Sequence, residues 1–362
     1  MTPVCDIIIP IWNQPALTQR CLESVATATT TPYRLILIDN GSEVPTRELL
    51  AATARHDSNR VTVIRNEENL GFIKAVNQGV RASSAPAVCL LNNDTVVTPG
   101  WLETMLRVAE QDPAIGLVNP SSNTLGYRPP SATVEAIGAY AQQVVAPLGQ
   151  QTRELATAIG FCLLITRAVL DTIGLFDERY GMGNFEDADF SKRAVHAGYR
   201  CVQALGAYVY HEEKASFKLR PGWEDGFRVN RELFEQRWGR PLRILWEAHD
   251  SDPTMAAAWT PIFLRLAREG HWLWYSAPDG LVPAAVRRYT NVQALEETNR
   301  WRLENLWFVL KRRKKPIDLV VAQDETLARW LALARPGHRA VLLRRPAPTE
   351  VEYQCQRLSR SQ

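Results

Sequence analysis

Over its first 120 residues the chain alternates short β-branched runs with amphipathic stretches, and this alternation constrains the fold more than any other feature. DIIIPIW is followed by PALTQRCLESVATA, RLILIDNG by TRELLAATARH, VTVIRNEEN by GFIKAVNQGVRAS, AVCLLNND by PGWLETMLRVAEQ, and IGLVNP closes the series. Runs such as RLILID and AVCLLN are apolar on both faces, as strands covered by helices on two sides must be. The pattern predicts an α/β fold built on a doubly wound sheet. Ligands of such sheets bind beyond the carboxyl ends of the strands. The polar residues there are Asn13 after the first run, Asp39, Asn40 and Ser42 after the second, Asn66 and Asn69 after the third, and Asn92, Asn93 and Asp94 after the fourth. Four successive strands ending this way predict one polar rim.

Three places along this pattern carry side chains suited to chemistry. In LLNNDTVV an apolar run stops at Asn92, Asn93 and Asp94, where an unpaired buried carboxylate would be costly. A hard divalent cation explains it, since Mg²⁺ and Mn²⁺ are often held by one or two carboxylates plus substrate phosphates; an Asx turn explains it equally simply. Glu186, Asp187 and Asp189 crowd three carboxylates into four residues at a predicted helix start. The helix dipole and free amides favour one or two acids there, and the third points to a general base or an ion ligand. His211 ends the apolar run AYVYH, where a structural role and a ligand role both stand open.

Composition divides the chain. Residues 251–362 hold 18 Lys/Arg against 11 Asp/Glu, although the whole chain carries only +3, and nine of the eleven tryptophans fall at or after Trp223. The HDSDP stretch supplies turn residues for a boundary near Asp250 to Pro253, giving domains over 1–250 and 254–362. The second reads as a small α/β accessory domain, with EGHWLWYSA, PIDLVVAQD and HRAVLLRR as strands and the stretches running up to KRRKK and over ETLARWLALA as helices. Trp301, Leu303, Leu306, Trp307 and Leu310 fall at helical spacing, which predicts a core face. Lys311 to Lys315 form a basic helix end, solvated or set against an anionic membrane surface, with nucleic acid the weakest fit. Self-association through this domain is a further expectation. The start MTPVCDIIIPIWNQ has no basic segment before its apolar run, no 18-residue apolar stretch occurs, and the six cysteines show no CxxC spacing. A reducing cytoplasm, with contact at the inner face of the membrane, is the expected compartment.

From about Cys5 to about Trp238 these stretches, taken in order, resemble the family-2 glycosyltransferases of the GT-A fold, in particular the bacterial O-antigen and rhamnosyl-type branch. CDIIIPIWN is similar to the family's opening strand and Pro-x-x-Asn turn, with Pro10 and Asn13, and LILIDNGS to the segment whose Asp contacts the nucleotide base, here Asp39. NEENLGFIKAVNQGV resembles the stretch beside the donor nucleotide, covering Asn69, Gly71, Lys74, Asn77 and Gly79. LNNDT occupies the place of the D-x-D metal motif, with Asn92 where the first Asp more often stands. An amide oxygen adds no charge, so Asp94 is the dominant ligand, with Asn92 and Asn93 beside the donor. GFCLLITRAVLDTIGLFDERYGMGNFEDADFSKRAVHAGYR looks like the acceptor-side signature, and YHEEKASF carries His211 where many members have a metal-proximal histidine.

The resemblance implies a GT-A-type mixed sheet, a nucleoside-diphosphate sugar as donor, Mn²⁺ or Mg²⁺ at Asp94 and His211, and a glycan or lipid-linked acceptor. It implies Asp187 as the general base, with Glu186 supporting it, and direct displacement that inverts the anomeric centre. A processive synthase is disfavoured by Phe234 where a Q-x-x-R-W motif needs Gln. A sugar nucleotidyltransferase lacks its Gly-rich phosphate loop near the first strand. The non-enzymatic alternative is a catalytically inactive nucleotide-sugar-binding module, with Asn92 in its favour and the Glu186-Asp187 pair against it.

Overall fold

The computed structural model describes residues 3–212, 223–251, 253–278, 281–282, 284–295, 298–312, 314–334 and 339–360. The chain divides into two compact units, one formed by residues 1–153 and 157–233, the other by 154–156 and 234–362. No helix of the described residues is long and apolar enough to cross a membrane. All six cysteines are buried free thiols.

The first unit alternates as its sequence predicts: β1 (Cys5–Ile11), α1 (Pro15–Ala28), β2 (Tyr33–Asn40), α2 (Val44–His56), β3 (Val61–Asn66), α3 (Phe72–Ala82) and β4 (Ala87–Leu91). Then come β5 (Thr95–Val97), α4 (Trp101–Glu110), β6 (Ile115–Ser121), α5 (Val134–Tyr140), β7 (Thr152–Leu155), β8 (Cys162–Thr166), α6 (Arg167–Ile173), α7 (Glu186–His196), β9 (Arg200–His211) and α8 (Trp223–Trp238), the ends of β7 and α8 from residues 154 and 234 on counting with the second unit. The sheet runs in the order β3-β2-β1-β4-β8-β6-β9-β5. β1 to β4 are mutually parallel, whereas β8 is antiparallel to β4 and β6, and β5 is antiparallel to β9. The α/β class and the mixed sheet are therefore as expected.

Side chains decide how tightly this sheet is covered. Every residue of β1 except Pro10 is buried, with Ile7 and Ile9 in one apolar layer together with Cys21, Val25 and Leu50 from the helices. On the opposite side, a Cβ at Gly79 of α3 would sit 2.4 Å from a methyl of Ile8. Glycine there lets the helix backbone approach the strand, which no larger residue allows.

The second unit holds a wholly parallel sheet of β10 (Arg243–Glu247), β11 (Trp272–Ser276), β12 (Val292–Ala294), β13 (Leu319–Ala322) and β14 (Val341–Arg344), in the order β12-β11-β10-β13-β14. Its helices are α9 (Pro253–Arg268), α10 (Ala284–Arg287), α11 (Trp301–Leu310), α12 (Glu325–Leu333) and α13 (Pro348–Arg360). The division falls at residue 233/234, before the expected 250–253, because RILWE forms β10 at the centre of this sheet rather than the end of the first domain.

Two expectations about α11 change. Leu303 and Trp307 are 56 % and 59 % exposed, while Trp301 and Leu306 pack inward, so the apolar positions form two faces rather than one core stripe. The basic run does not continue the helix. Lys311 is the C-cap, at the non-helical ψ of 126°, and Arg312, Lys314 and Lys315 follow it outside the helix. Like charges at helical spacing disfavour a further turn, and Pro316 biases its predecessor away from helix. Arg313 lies outside the described residues.

Candidate active site

The turn after β4 is built by its own polar residues. Asn92 N–H donates to the Phe161 carbonyl at 2.8 Å, the Asn92 carbonyl accepts the Thr95 hydroxyl at 2.7 Å, and Asn93 Nδ2 donates to Thr18 Oγ1 of α1 at 2.9 Å. Asn93 is thus a tether of the turn, and the Asn92 side-chain amide makes no hydrogen bond among the described residues. The antiparallel pairing of β5 with β9 sets Thr95 opposite His211, which brings the imidazole beside Asp94. Asp94 Oδ1 lies 3.2 Å from His211 Nε2 without hydrogen-bond alignment, and Asp94 Oδ1 and His211 Nδ1 are both buried with no hydrogen-bond partner. Two further residues hold the histidine. Its ring stacks on Phe161 with centroids 5.0 Å apart, and Asn123 clasps its backbone, accepting from His211 N–H at 2.8 Å and donating to its carbonyl at 2.7 Å.

Buried polar atoms are normally paired, so an orphaned carboxylate oxygen facing an imidazole fits a cation. The donor set, one hard oxygen and one imidazole nitrogen, suits Mn²⁺ or Mg²⁺ completed by diphosphate and water. Among the described residues no cluster of three or more His, Cys, Asp or Glu is arranged to hold a metal by itself.

The carboxylate trio separates into two roles. α7 begins after Asn184 and Phe185, both at positive φ (77° and 70°), a conformation that bulky residues rarely adopt. Asn230 Nδ2 holds that loop by donating to the carbonyls of Tyr180 and Gly183, each at 2.8 Å. Glu186 and Asp187 then enter the first helical turn and, with Asn184, Phe185, Ala188 and Phe227, line an open pocket. Burial first, and the neighbouring Asp187 second, push the Glu186 carboxyl up to about 8, and its Oε2 has no partner. Burial also raises Asp187, opposed by the N–H groups of Gly160 at 3.2 Å and Ala188 at 2.7 Å, which favour the ionised form. Asp189 is fully buried, paired with Arg193 at 2.9 Å and within 3.5 Å of the Tyr180 hydroxyl. It is a structural member of the trio.

Adjacent residues in the chain join the two ends. Gly160 donates to Asp187 while Phe161 supports Asn92 and stacks on His211. Asn119 of β6 fixes this segment through Ile159 N–H at 2.9 Å and the carbonyls of Ile159 and Cys162 at 2.8 and 2.6 Å.

The expected donor-side residues are distributed unevenly. Asn13, at positive φ, caps the entry to α2 by accepting Glu43 N–H at 2.8 Å, and its own N–H donates to Ser42 Oγ at 2.9 Å. Asp39 is 1 % exposed, ion-paired with Arg65, and accepts Ser42 N–H at 2.9 Å. Its carboxylate is engaged within the protein. Asn69 accepts from Asn40 Nδ2 and Gly71 N–H, both at 2.9 Å, and so shapes the loop leading to α3. Gly71 stands there at φ 88°, where a Cβ would lie 3.0 Å from Met182 Sδ. Asn77, expected beside the donor, is 1 % exposed and bonded to Phe176 N–H, the Phe176 carbonyl and Glu178, each at 3.0 Å. These bonds tie α3 to the 176–178 segment. Pro10 is partly buried at the end of β1 and Lys74 is exposed on α3.

Sequence reasoning missed Asn123, Gly160, Phe161, Arg65 and Asn230. Gly160 and Phe161 precede the CLLIT strand and Arg65 ends VTVIR, but all five act through backbone contacts or long-range pairs that no local pattern marks.

Residues 6–174 match the family model described as Glycosyl transferase family 2. N-acetylglucosaminyl-diphospho-decaprenol L-rhamnosyltransferase of Mycobacterium tuberculosis is 28 % identical over 248 residues, covering 60 % of this chain and 78 % of that protein. O-antigen biosynthesis protein RfbC of Myxococcus xanthus is 25 % identical over 59 % of this chain, and uncharacterized protein y4gI of Sinorhizobium fredii is 28 % identical over 70 % of it. The chain spans only 18 % and 28 % of the lengths of those two. Among solved structures, mannosyltransferase PcManGT from Pyrobaculum calidifontis in complex with GDP-Man and Mn²⁺ covers 99 % of this chain and 80 % of its own, at 15 % identity and a TM-score of 0.47. The family match over residues 6–174, together with the named glycosyltransferase relatives, identifies a family-2 glycosyltransferase domain within the chain.

Proposed function

We propose that the first unit transfers a sugar from a nucleoside-diphosphate sugar to a hydroxyl of a glycan or lipid-linked glycan, with inversion. The observation that carries this reading is the pair of neighbours Gly160 and Phe161, which hold the acid pair at one end and the Asp94–His211 pair at the other. A charged leaving group and a proton acceptor are the two things glycosyl transfer needs in one site. Asp187, with two backbone N–H groups fixing its carboxylate, is the base for the acceptor hydroxyl. Its raised pKa brings it nearer to neutrality, where a base is both available and strong enough. Glu186 orients acceptor as a neutral acid near neutral pH, and Asn92 and the strand-end loops face the donor. A bound Mn²⁺ or Mg²⁺, held by Asp94 and His211, would supply charge neutralisation at the departing diphosphate.

The rhamnosyltransferase relative bears a lipid-linked substrate in its name. On that basis we place a lipid-linked acceptor first, and the membrane surface that carries it as a partner of α11 and the basic run after it. Leu303, Trp307 and Lys311 stand at i, i+4, i+8, with the Lys311 ammonium 4.4 Å from the Trp307 ring centre, and Arg312, Lys314 and Lys315 are exposed beyond them. An aromatic and aliphatic stripe bordered by basic residues complements an anionic interface.

The test of transfer is a screen of nucleotide sugars with Mn²⁺, reading release of nucleoside diphosphate with and without glycan acceptors. Acceptor-dependent release that disappears in Asp187→Asn is expected. An inactive profile across the panel, with nucleotide sugars still bound, would favour the binding-module reading instead.

A further inference from the structure

The second unit carries a polar cluster that glycosyl transfer in the first does not use. Counted from β10, its strand order is 3-2-1-4-5, so the order reverses between β10 and β13. In sheets of this kind the crevice beyond the carboxyl ends at that reversal is where ligands bind. Glu247 ends β10 there, fully buried. It accepts N–H groups from His249 at 2.6 Å, Gln323 at 2.9 Å and Asp324 at 2.7 Å, and lies 3.2 Å from His249 Nδ1. The His249 ring stacks face to face on Trp301, centroids 3.6 Å apart. Asn305, one turn along α11, donates to the Trp301 carbonyl and to Ser276 Oγ at the end of β11, each at 2.8 Å. These contacts make one connected group.

The group has unused hydrogen-bonding capacity of one kind. His249 Nε2, Gln323 Nε2 and Asn305 Oδ1 are buried and have no partner, and Gln323 and Asn305 are each only 1 % exposed. Leaving a buried polar atom unpaired is costly, and three within one connected group call for a partner. All three are neutral or, for the histidine, already set against a carboxylate. The charged groups around them are matched: Asp324 with Arg302 at 2.7 Å and Asp250 with Arg345 at 3.0 Å. An anion or cation entering here would have to break one of those pairs. A neutral molecule bearing several hydroxyls would satisfy donors and acceptors alike.

We infer that the carboxyl ends of β10 and β13 in the second unit form a ligand site for a neutral sugar. The inference does not depend on the function proposed for the first unit. It makes the second unit a saccharide-reading module, with Gln323 and Asn305 supplying a donor and an acceptor and His249 and Trp301 forming one wall.

The experiment uses the full chain in chelator-containing buffer and ligand-observed NMR, with methyl α-D-glucoside and N-acetylglucosamine as neutral probes and inorganic phosphate and UDP as charged ones. Saturable binding of a neutral sugar is expected in wild type and in Asp94→Ala, with at least a tenfold loss in Gln323→Leu and in Asn305→Leu. Backbone hydrogen exchange in wild type provides a reading without substitution: residues 247–251 and 322–327 should slow when the sugar is added. Sugar binding that both leucine variants leave intact overturns the assignment, and so does the absence of saturable sugar binding. Phosphate or UDP protecting the same segments in place of sugar, or stabilisation by Gln323→Leu in a protein that binds no sugar, which would mark the cluster as a hydration site only, overturns it as well.

Discussion

The two sheets treat the charges at their strand ends in opposite ways. In the second unit Glu247, Asp250 and Asp324 each meet a histidine or an arginine, Glu247 and Asp324 with backbone donors as well, and the unpaired groups beside them are neutral. In the first unit, by contrast, Glu186 and Asp187 share a helix start where burial raises both carboxyls and no cation offsets it, and Asp94 faces an imidazole. Keeping acids together without counter-charge is destabilising, so the difference teaches that the first unit holds charge ready for a ligand or a proton while the second does not.

The largest expected effect separates two acids two residues apart. Asp187→Asn keeps size and most hydrogen bonding but cannot accept a proton, so transfer should fall by about 10² to 10⁴-fold with nucleotide affinity nearly unchanged. Asp189→Asn should do the reverse. It breaks a buried pair with Arg193, and its loss should appear as instability of about 3 kcal/mol in thermal or denaturant unfolding, with transfer by the folded fraction retained. Wild-type transfer by Asp187→Asn would erase the contrast between them.

Next in size is Asp94. Asp94→Ala should weaken Mn²⁺-supported nucleoside diphosphate binding by about 10 to 100-fold in calorimetry, while binding measured with chelator hardly changes. Equal affinities of wild type with Mn²⁺ and with chelator would remove the cation from the comparison.

How far these residues were legible depends on the range of the interaction. The α/β alternation, the strand ends and the trio at 186–189 were plain in the sequence because local periodicity and composition encode them. The roles within them were not. Nothing local distinguishes Asp187 from Asp189; the choice is made by Arg193 one turn later and by Gly160, 27 residues earlier. The contacts of Asn77 with Phe176 and of Asp39 with Arg65 were not legible, because only the folded chain brings those partners together. RILWE was passed over as a strand because five residues beside a helix carry too little periodicity to mark a new sheet.

Glu186 offers a test of the same contrast by pH. Its carboxyl is raised from 4.5 to about 8, so within that window the folded protein keeps a proton that the unfolded chain releases. Stability is therefore fully present on the acid side and declines as pH rises towards 8. Glu186→Gln has no proton to lose, and should flatten this decline in urea unfolding across the window. A parallel decline in wild type and variant would show that the acid pair is already relieved by something other than protonation.

The smallest effect lies on the surface of the second unit, where charges face solvent rather than one another. Trp307 is 59 % exposed beneath Lys311, and near an anionic bilayer each basic residue contributes about 1 kcal/mol that salt screens. Vesicles containing anionic lipid should sediment the full chain at low salt, and neutral vesicles should not. Lys314→Glu with Lys315→Glu should weaken that binding by an order of magnitude or more, since two attractive charges become repulsive. Trp307→Ala should weaken it less and, unlike the charge reversal, at every salt concentration, because it removes apolar contact rather than Coulomb attraction. Equal binding to neutral and anionic vesicles, or a Trp307→Ala loss that vanishes at high salt, would show that the stripe and the basic run do not act as one interfacial surface.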